Sequence, residues 1–282
     1  MRNFEEMKQL IKQIEGSDYA VPAGIDLDGL IADMLSYVGH IDSDLREGVY
    51  STFANWSDNG VLSTDQIRHV LYVAMDDRHL FLGIGESGTD SVFMRAFASL
   101  LVSVALYMHD KNPFLTKTEI ETVKATVLRY VAQEKDYRGY VQGKGWAHAI
   151  AHAADALAHI ACVDKAVDAD GEYTVGRDGM LEILNATQML AINSQLVYDA
   201  QEDERLAVVV IDVLDSQVLS QDDMLGWLTK LGADIERVVL PSDNFRRINQ
   251  KHFMRSLYFL MVSDDSHEGP SKLLFDILTK EK

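Results

Sequence analysis

Apolar residues recur at helical spacing along nearly the whole chain. At the amino-terminal end, the apolar positions with this spacing are Phe4, Met7, Leu10, Ile11 and Ile14. Steps of three and four residues place side chains on one face of a helix, so each such stretch predicts an amphipathic helix. The predicted helices cover 4–15, 27–37, 44–56, 64–74, 91–109, 116–133, 145–161, 180–198, 205–219, 222–231, 243–262 and 271–280. Ser63 or Thr64 is the predicted cap of the fourth helix.

One stretch is ambiguous between helix and strand. The segment AVVVIDVL at 207–214 is rich in valine and would also suit a strand. We interpret it as helix because no second alternating run is present to pair with it. The many helices, joined by short connections, predict an all-α superhelix of stacked helical hairpins, similar to HEAT or armadillo solenoids, in a single domain over 1–282.

The segment GWAHAIAHAADALAHIA at 145–161 carries an unusual set of polar residues. His148, His152, Asp155 and His159 follow one another at steps of four, three and four residues, which predicts one polar stripe along a helix. Trp146 falls on the opposite, apolar side of the same helical wheel. This arrangement predicts an inner helix of the stack, packed through its apolar side, with its imidazoles lining a groove.

The histidine stripe has several chemical interpretations. His148 and His152 could chelate a divalent metal such as zinc or manganese, with Asp155 or His159 as a third ligand or as a hydrogen-bond acceptor behind the ligands. The stripe is about 16 Å long, so at most a neighbouring pair or trio could share one ion. Loop carboxylates could complete such a site, and the candidates are Glu86, Asp90, Glu134 and Asp136. Alternatively, the imidazoles bind polar ligand groups, act as acid and base, or are structural.

Two glycine-rich loops resemble phosphate-binding motifs only superficially. GIGESG at 83–88 fits the dinucleotide pattern, but Glu86 and Asp90 would place negative charge beside a phosphate. GYVQGKG at 139–145 lacks the spacing and the hydroxyl residue of a P-loop. Arg138, next to the second loop, could clamp a ligand carboxylate, or it could brace the turn by pairing with Asp136 or Glu134.

Composition and charge argue against several classes of partner and cellular location. The chain has 282 residues, 47% of them hydrophobic, and a formal net charge of −18. Such a charge opposes binding to nucleic acids and to anionic membranes. The apolar run 92–108 is interpreted as a buried core helix, because it falls short of the roughly 20 residues that span a bilayer. A single cysteine, Cys162, in an apolar setting predicts an inert buried thiol. With an amino terminus that lacks an export signal, these features predict a cytoplasmic protein.

Three segments carry a resemblance to a known family. GIGESGTDSVFMRAF, EKDYRGYVQGKGWAHAIAHAADAL and EDERL, in this order, resemble a bacterial family found mostly in Firmicutes, domain of unknown function number 2785. The resemblance covers most of the chain and implies an intracellular bacterial protein of HEAT-like helical build. It implies no reaction and no catalytic roles. It does mark, beside the histidines, the residues worth testing: Trp146, Glu86, Asp90 and Arg95.

These patterns together favour a binding module. We expect a groove that takes a peptide, a protein segment or a small polar ligand, lined by Trp146, His148, His152, Asp155, His159, Glu86, Asp90 and Arg138. The alternative is a metal-dependent hydrolase that uses His148, His152 and Asp155. The sequence leaves the ligand and the oligomeric state open.

Overall fold

The computed structural model describes residues 2–163, 174–236 and 244–280. Within these residues the α-helices are α1 Phe4–Gly16, α2 Leu27–Tyr37, α3 Ser43–Asp58, α4 Thr64–Ala74, α5 Ser91–Lys111, α6 Lys117–Gln133, α7 Ala149–Cys162, α8 Gly176–Asn193, α9 Glu202–Asp215, α10 Gln221–Glu236, α11 Asn244–Met261 and α12 Glu268–Lys280. A 3-10 helix at Asp265–His267 precedes α12, and two short strands, β1 Tyr140–Val141 and β2 Gly145–Trp146, precede α7. The predicted all-α class is confirmed.

Short polar motifs define where several helices begin. Asn3 and Glu6 form a reciprocal capping box at α1, and Ser63 and Gln66 form another at α4, which confirms Ser63 as the cap. At α3 the carboxylate of Asp42 accepts a hydrogen bond from the backbone N–H of Leu45. Each cap satisfies a backbone donor that the first helical turn leaves unpaired.

The chain divides into two compact units, and the first consists of 1–116 and 133–156. In this unit α1 packs on α3, α3 and α4 pack on α5, and α2 packs on α3 and α4. The largest side chains buried among these helices are Trp56, Arg46, Arg95, Phe53 and Phe93. Two arginines among them mean that this core contains charges that the fold must satisfy.

The second unit consists of 117–132 and 157–282. Here α9 packs on α8 and α11, α11 packs on α8 and α12, and α12 packs on α10. The valine-rich segment lies within α9, so its interpretation as helix is confirmed. Two of these contacts, α9 with α11 and α10 with α12, join helices separated by one other helix in the sequence, as stacked helical hairpins do. The superhelical form and the single domain stay predictions.

Helix α5 lies at the centre of the first unit. With 21 residues it is the one helix in the described part of the chain that is long and apolar enough to cross a membrane. The predicted apolar run 92–108 was therefore too short, because the helix itself is long enough to span a bilayer. Inside the protein, however, 72% of its most apolar window is buried, which agrees with the predicted core helix. Cys162, at the end of α7, is also buried as predicted.

Candidate functional site

A two-stranded antiparallel hairpin precedes α7. Tyr140 lies opposite Trp146, and Val141 lies opposite Gly145. Gly143 and Gly145 have φ angles of 77° and 79°, which glycine adopts without strain. The histidine helix was predicted to begin at Gly145, and this was wrong, because the chain reverses direction at the two glycines and α7 begins only at Ala149.

The outer face of the hairpin consists of two aromatic rings. The rings of Tyr140 and Trp146 meet edge to face, with centroids 5.1 Å apart. Tyr140 is 56% exposed and Trp146 is 40% exposed. The expectation that Trp146 packs on the buried side of a helix was wrong, because this residue lies in β2 and not in α7. We call this pair of rings the aromatic face.

His148 connects the aromatic face to α7. Its ring stacks on the ring of Trp146 with a centroid distance of 4.3 Å, and it meets the ring of His152 edge to face at 5.7 Å. The backbone N–H of His148 donates to the carbonyl of Arg138, and its own carbonyl accepts from the N–H of His152. His148 has a φ of 52°, a conformation that costs a non-glycine residue free energy. The residue whose ring stacks on Trp146 therefore has a strained backbone conformation.

His152 is a core residue. It is 8% exposed, its Nδ1 lies 3.2 Å from the carbonyl oxygen of Ala96, and its ring meets that of Phe97 edge to face. The hydroxyl of Ser99 donates to the backbone carbonyl of His152. The expected open stripe is therefore wrong at His152, because α5 covers this turn of α7. A role of His152 in ligand binding stays a prediction.

Asp155 and His159 lie on later turns of α7 and are both half-buried. Asp155 belongs to the first unit and His159 to the second. Of the four residues of the predicted stripe, the structure brings the rings of His148 and His152 into contact. Trp146 extends this pair, because its ring stacks on that of His148. The groove-lining roles of Asp155 and His159 stay predictions.

Arg46 fixes the hairpin from below. Its side chain is completely buried, and Nη2 donates to the carbonyls of Lys144 and Trp146 at 2.8 and 3.1 Å. Nη1 donates to the carbonyl of His40 at 2.7 Å. One guanidinium thus joins both ends of β2 to the connection between α2 and α3, which fixes the hairpin on the body of the unit.

The charge of Arg46 is balanced mainly by dipoles and rings. Its guanidinium carbon lies 4.4 and 4.8 Å from the ring centroids of Phe93 and Phe97, within the range of cation–π attraction. Burial lowers the pKa of Arg46 to about 10, and the carboxylates of Glu47 and Asp42 oppose this shift. Arg46 therefore stays charged at neutral pH.

A buried ion pair supports the loop next to the hairpin. Arg95 donates to Glu134 from Nε at 2.6 Å and from Nη2 at 2.9 Å, and both side chains are buried. Its Nη1 also donates to the carbonyls of Leu82 and Gly83 and to the hydroxyl of Ser91. The backbone at the start of the GIGESG loop thus binds the side chain of Arg95.

Glu86 and Asp90 lie on the surface of this loop. Glu86 accepts hydrogen bonds from the hydroxyls of Ser91 and Thr89, which lower the pKa of its carboxyl group. Asp90 accepts from Nζ of Lys144 with both oxygens, at 2.6 and 2.7 Å. Through this ion pair Asp90 is positioned beside the turn of the hairpin.

Arg138 pairs with Asp136 and stabilises the turn, which is one of the two roles that the sequence suggested. Its Nε and Nη2 donate to the buried carboxylate of Asp136, and Nη2 also donates to the carbonyl of Thr89. The hydrogen bond with Asp136 raises the pKa of the guanidinium. Asp136 in turn accepts from the backbone N–H of Gly88. These contacts tie the strand that follows Arg138 to the GIGESG loop.

Sequence reasoning missed three residues of this site: Tyr140, Arg46 and Glu47. Tyr140 could have been found from the short spacing Y-V-Q-G-K-G-W, in which a glycine-rich turn separates two aromatic residues. Nothing in the sequence indicates that Arg46 contacts a hairpin about 100 residues away, and Glu47 is the residue that follows Arg46.

The metal hypothesis gains no support from the described donors. Within 2–163, 174–236 and 244–280, no group of three or more His, Cys, Asp or Glu residues is placed so that it could hold a metal ion. In particular, Asp136 and Glu134, two of the proposed loop ligands, are engaged by arginines. Zinc or manganese binding by His148, His152 and Asp155 stays a prediction.

Comparison with known proteins places the chain in a family without assigning a reaction. Residues 80–259, well over half of the chain, match the family described as "Protein of unknown function (DUF2785)". The matched region includes the GIGESG loop, the hairpin and all of α7. No curated protein and no solved structure matches the chain.

Proposed function

The chain belongs to the DUF2785 family, and from the geometry of the site we propose that it is a binding module that takes a peptide or protein segment on its aromatic face. The observation that carries this proposal is the exposed pair of Tyr140 and Trp146 on a fixed hairpin. Tyrosine and tryptophan contribute much of the binding energy at protein interfaces, because they bury large apolar areas and lose little conformational entropy.

Preorganisation supports this function. The hairpin is held by the donors of Arg46 on one side and by the Lys144–Asp90 ion pair on the other. The ring of Trp146 rests on that of His148. A partner therefore meets side chains whose positions are already fixed, which reduces the entropic cost of association.

Charge and cysteine usage support the remaining parts of the proposal. A net charge of −18 opposes partners that present a phosphate backbone or an anionic membrane surface. We also propose that the protein acts in the bacterial cytoplasm, in keeping with the implied family origin and with a single, buried cysteine.

The direct test uses a displayed library of random peptides. Wild-type protein is the target, and Tyr140→Ser/Trp146→Ser is the target for counter-selection, since both substitutions are at exposed positions. Tyr72→Ser, at a 43% exposed position on α4, is the matched control and should retain the selected peptides. Enrichment of peptides that bind wild type and Tyr72→Ser but not the double variant supports the proposal. Enriched peptides that bind all three proteins equally, or no enrichment, would overturn it.

A further inference from the structure

We infer, on the basis of the proposed function, that the segment bound at the aromatic face is basic and places an arginine or lysine side chain over the exposed parts of these rings. The inference follows from the rings of Tyr140 and Trp146, from the carboxylate of Glu47 close to the backbone of β2, and from the pairing of two nearby cations. Each of these three observations is independent of the identity of the partner.

The rings supply an attraction that is specific for cations. The face of an indole or phenol ring carries partial negative charge, so a guanidinium or ammonium group over it is stabilised. The same chemistry occurs within this unit, where the guanidinium of Arg46 lies over Phe93 and Phe97. The two rings contact each other edge to face, with centroids 5.1 Å apart, so a cationic side chain binds over their exposed parts and not between them.

Glu47 supplies a negative charge at the base of β2. Its side chain is 47% exposed, and its Oε1 forms a long ion pair with Nη2 of Arg46, at 4.0 Å. A methyl group added at Gly145, the neighbour of Trp146, would lie 3.5 Å from this oxygen. The carboxylate is thus within a few ångströms of the backbone that carries the aromatic face.

Two cations next to the hairpin are engaged by carboxylates of the protein. Lys144 pairs with both oxygens of Asp90, and Arg138 pairs with Asp136. Glu86, in contrast, is held by two hydroxyl groups, so its exposed charge is not neutralised by a direct ion pair. Together with the net charge of −18, this balance attracts cationic segments and repels anionic ones.

Fluorescence gives a local readout of this site. Of the three tryptophans, Trp56 and Trp227 are 0% and 3% exposed, whereas Trp146 is 40% exposed. Quenching by small solutes therefore reports on Trp146. Caesium should quench wild type more strongly, relative to iodide, than it quenches Glu47→Gln, with neutral acrylamide as the reference for accessibility. An equal caesium-to-iodide ratio in the two proteins would count against a cation site at Glu47.

The binding test compares three peptides of the same length: Ac-Gly-Arg-Gly-Arg-Gly-NH2, its citrulline analogue and its glutamate analogue. Citrulline keeps the shape of arginine and removes the charge. We expect the arginine peptide to change the Trp146 fluorescence and to bind at least about tenfold more tightly than the citrulline peptide. Glu47→Gln should weaken the arginine peptide several-fold and leave the citrulline peptide unchanged. Equal binding of the three peptides would overturn the inference.

The library separates failure of this inference from failure of the proposed function. Enriched peptides that depend on the aromatic face and carry arginine or lysine support both. Enriched peptides that depend on the aromatic face but lack basic residues overturn the inference and leave the binding function standing. Absence of enrichment overturns both.

Discussion

The guanidinium of Arg95 and the carboxylate of Glu134 form a buried pair joined by two hydrogen bonds, 2.6 and 2.9 Å long. The second carboxylate contact is shared, because Oε1 of Glu134 also accepts from the backbone N–H groups of Lys135 and Asp136. The pair therefore joins the first turns of α5 to the residues that lead into the hairpin. An ion pair of this kind orders two segments at once.

Arg95→Met should be strongly destabilising. The substitution leaves the Glu134 carboxylate buried without its cation, which costs on the order of 3 to 5 kcal/mol in the free energy of unfolding. Urea denaturation measures this loss. In Arg95→Met/Glu134→Gln the buried charge is gone while the amide oxygen can still accept from the backbone, so the double variant should be more stable than the single one. Additive losses would contradict this account.

Gly145→Ala should destabilise the hairpin more than Gly143→Ala does. Both glycines have left-handed φ angles, so alanine is strained at either position by about 1 to 2 kcal/mol. At Gly145 the new methyl group would also lie 2.8 Å from Cβ of Ser43, whereas nothing lies within 4 Å at Gly143. Thermal denaturation of the two variants isolates the clash, since the backbone strain is common to both. Equal melting temperatures would show that α3 yields to the added methyl.

Arg46→Lys should loosen the hairpin although it keeps the charge. An ammonium group cannot reproduce the planar fork that donates to the carbonyls of His40, Lys144 and Trp146, and we expect a loss of about 2 kcal/mol. Faster hydrogen exchange at the N–H of Ala147, which donates to the carbonyl of Gly139, would report the loosening. Arg177→Lys, at an exposed ion pair, is the control and should leave that exchange rate unchanged.

His40 should make the protein less stable below pH 6.5. Burial lowers the pKa of its imidazole, and Nδ1 of the neutral ring accepts a hydrogen bond from the backbone N–H of Asp42. Because the unfolded chain binds a proton more readily, stability is complete above the unfolded pKa of about 6.5 and declines as the pH falls towards the folded pKa. NMR titration gives the pKa directly, and His40→Asn, whose amide oxygen can accept the same bond, should flatten the decline. A midpoint at or above 6.5 would contradict the prediction.

Glu202 should make the protein less stable as the pH rises from the acid range towards neutrality. Burial raises the pKa of its carboxyl group, whose Oε2 accepts a hydrogen bond from the N–H of Ala200. The folded state therefore holds the proton more tightly, and stability declines as the pH rises from the unfolded pKa through the folded one. Glu202→Gln keeps an acceptor without the charge, so it should be more stable than wild type at pH 7 and gain nothing near pH 4. Denaturation curves at the two pH values test this.

Much of the helical structure could be predicted from local sequence. Apolar spacing identified the region of every described α-helix, including the valine-rich α9, where the absence of a partner strand decided against β structure. Boundaries were less well predicted: α9 runs over Glu202–Asp215 where the sequence indicated 205–219. Helix ends depend on caps and on the connections that follow, and these are weaker signals than the apolar stripe.

The start of α7 and the burial of its histidines could not be predicted from local sequence. The pattern His148, His152, Asp155, His159 predicted one open stripe, but α7 begins only at Ala149. His148 precedes the helix with a left-handed backbone, and His152 is buried against α5. The predicted exposure was wrong at His152, because the exposure of a helical residue is set by the helix that packs against it.

The sequence by itself determined the all-α class, the segments that become helices, and the family resemblance, because apolar spacing and short motifs are local properties of the chain. Only the tertiary structure decided that Trp146 pairs with Tyr140 on the surface and that Arg46 holds the hairpin from below. The latter contact joins residues 100 positions apart, and it depends on how α3, α5 and the hairpin pack. No local pattern encodes such a contact, since it arises from the packing of several helices at once.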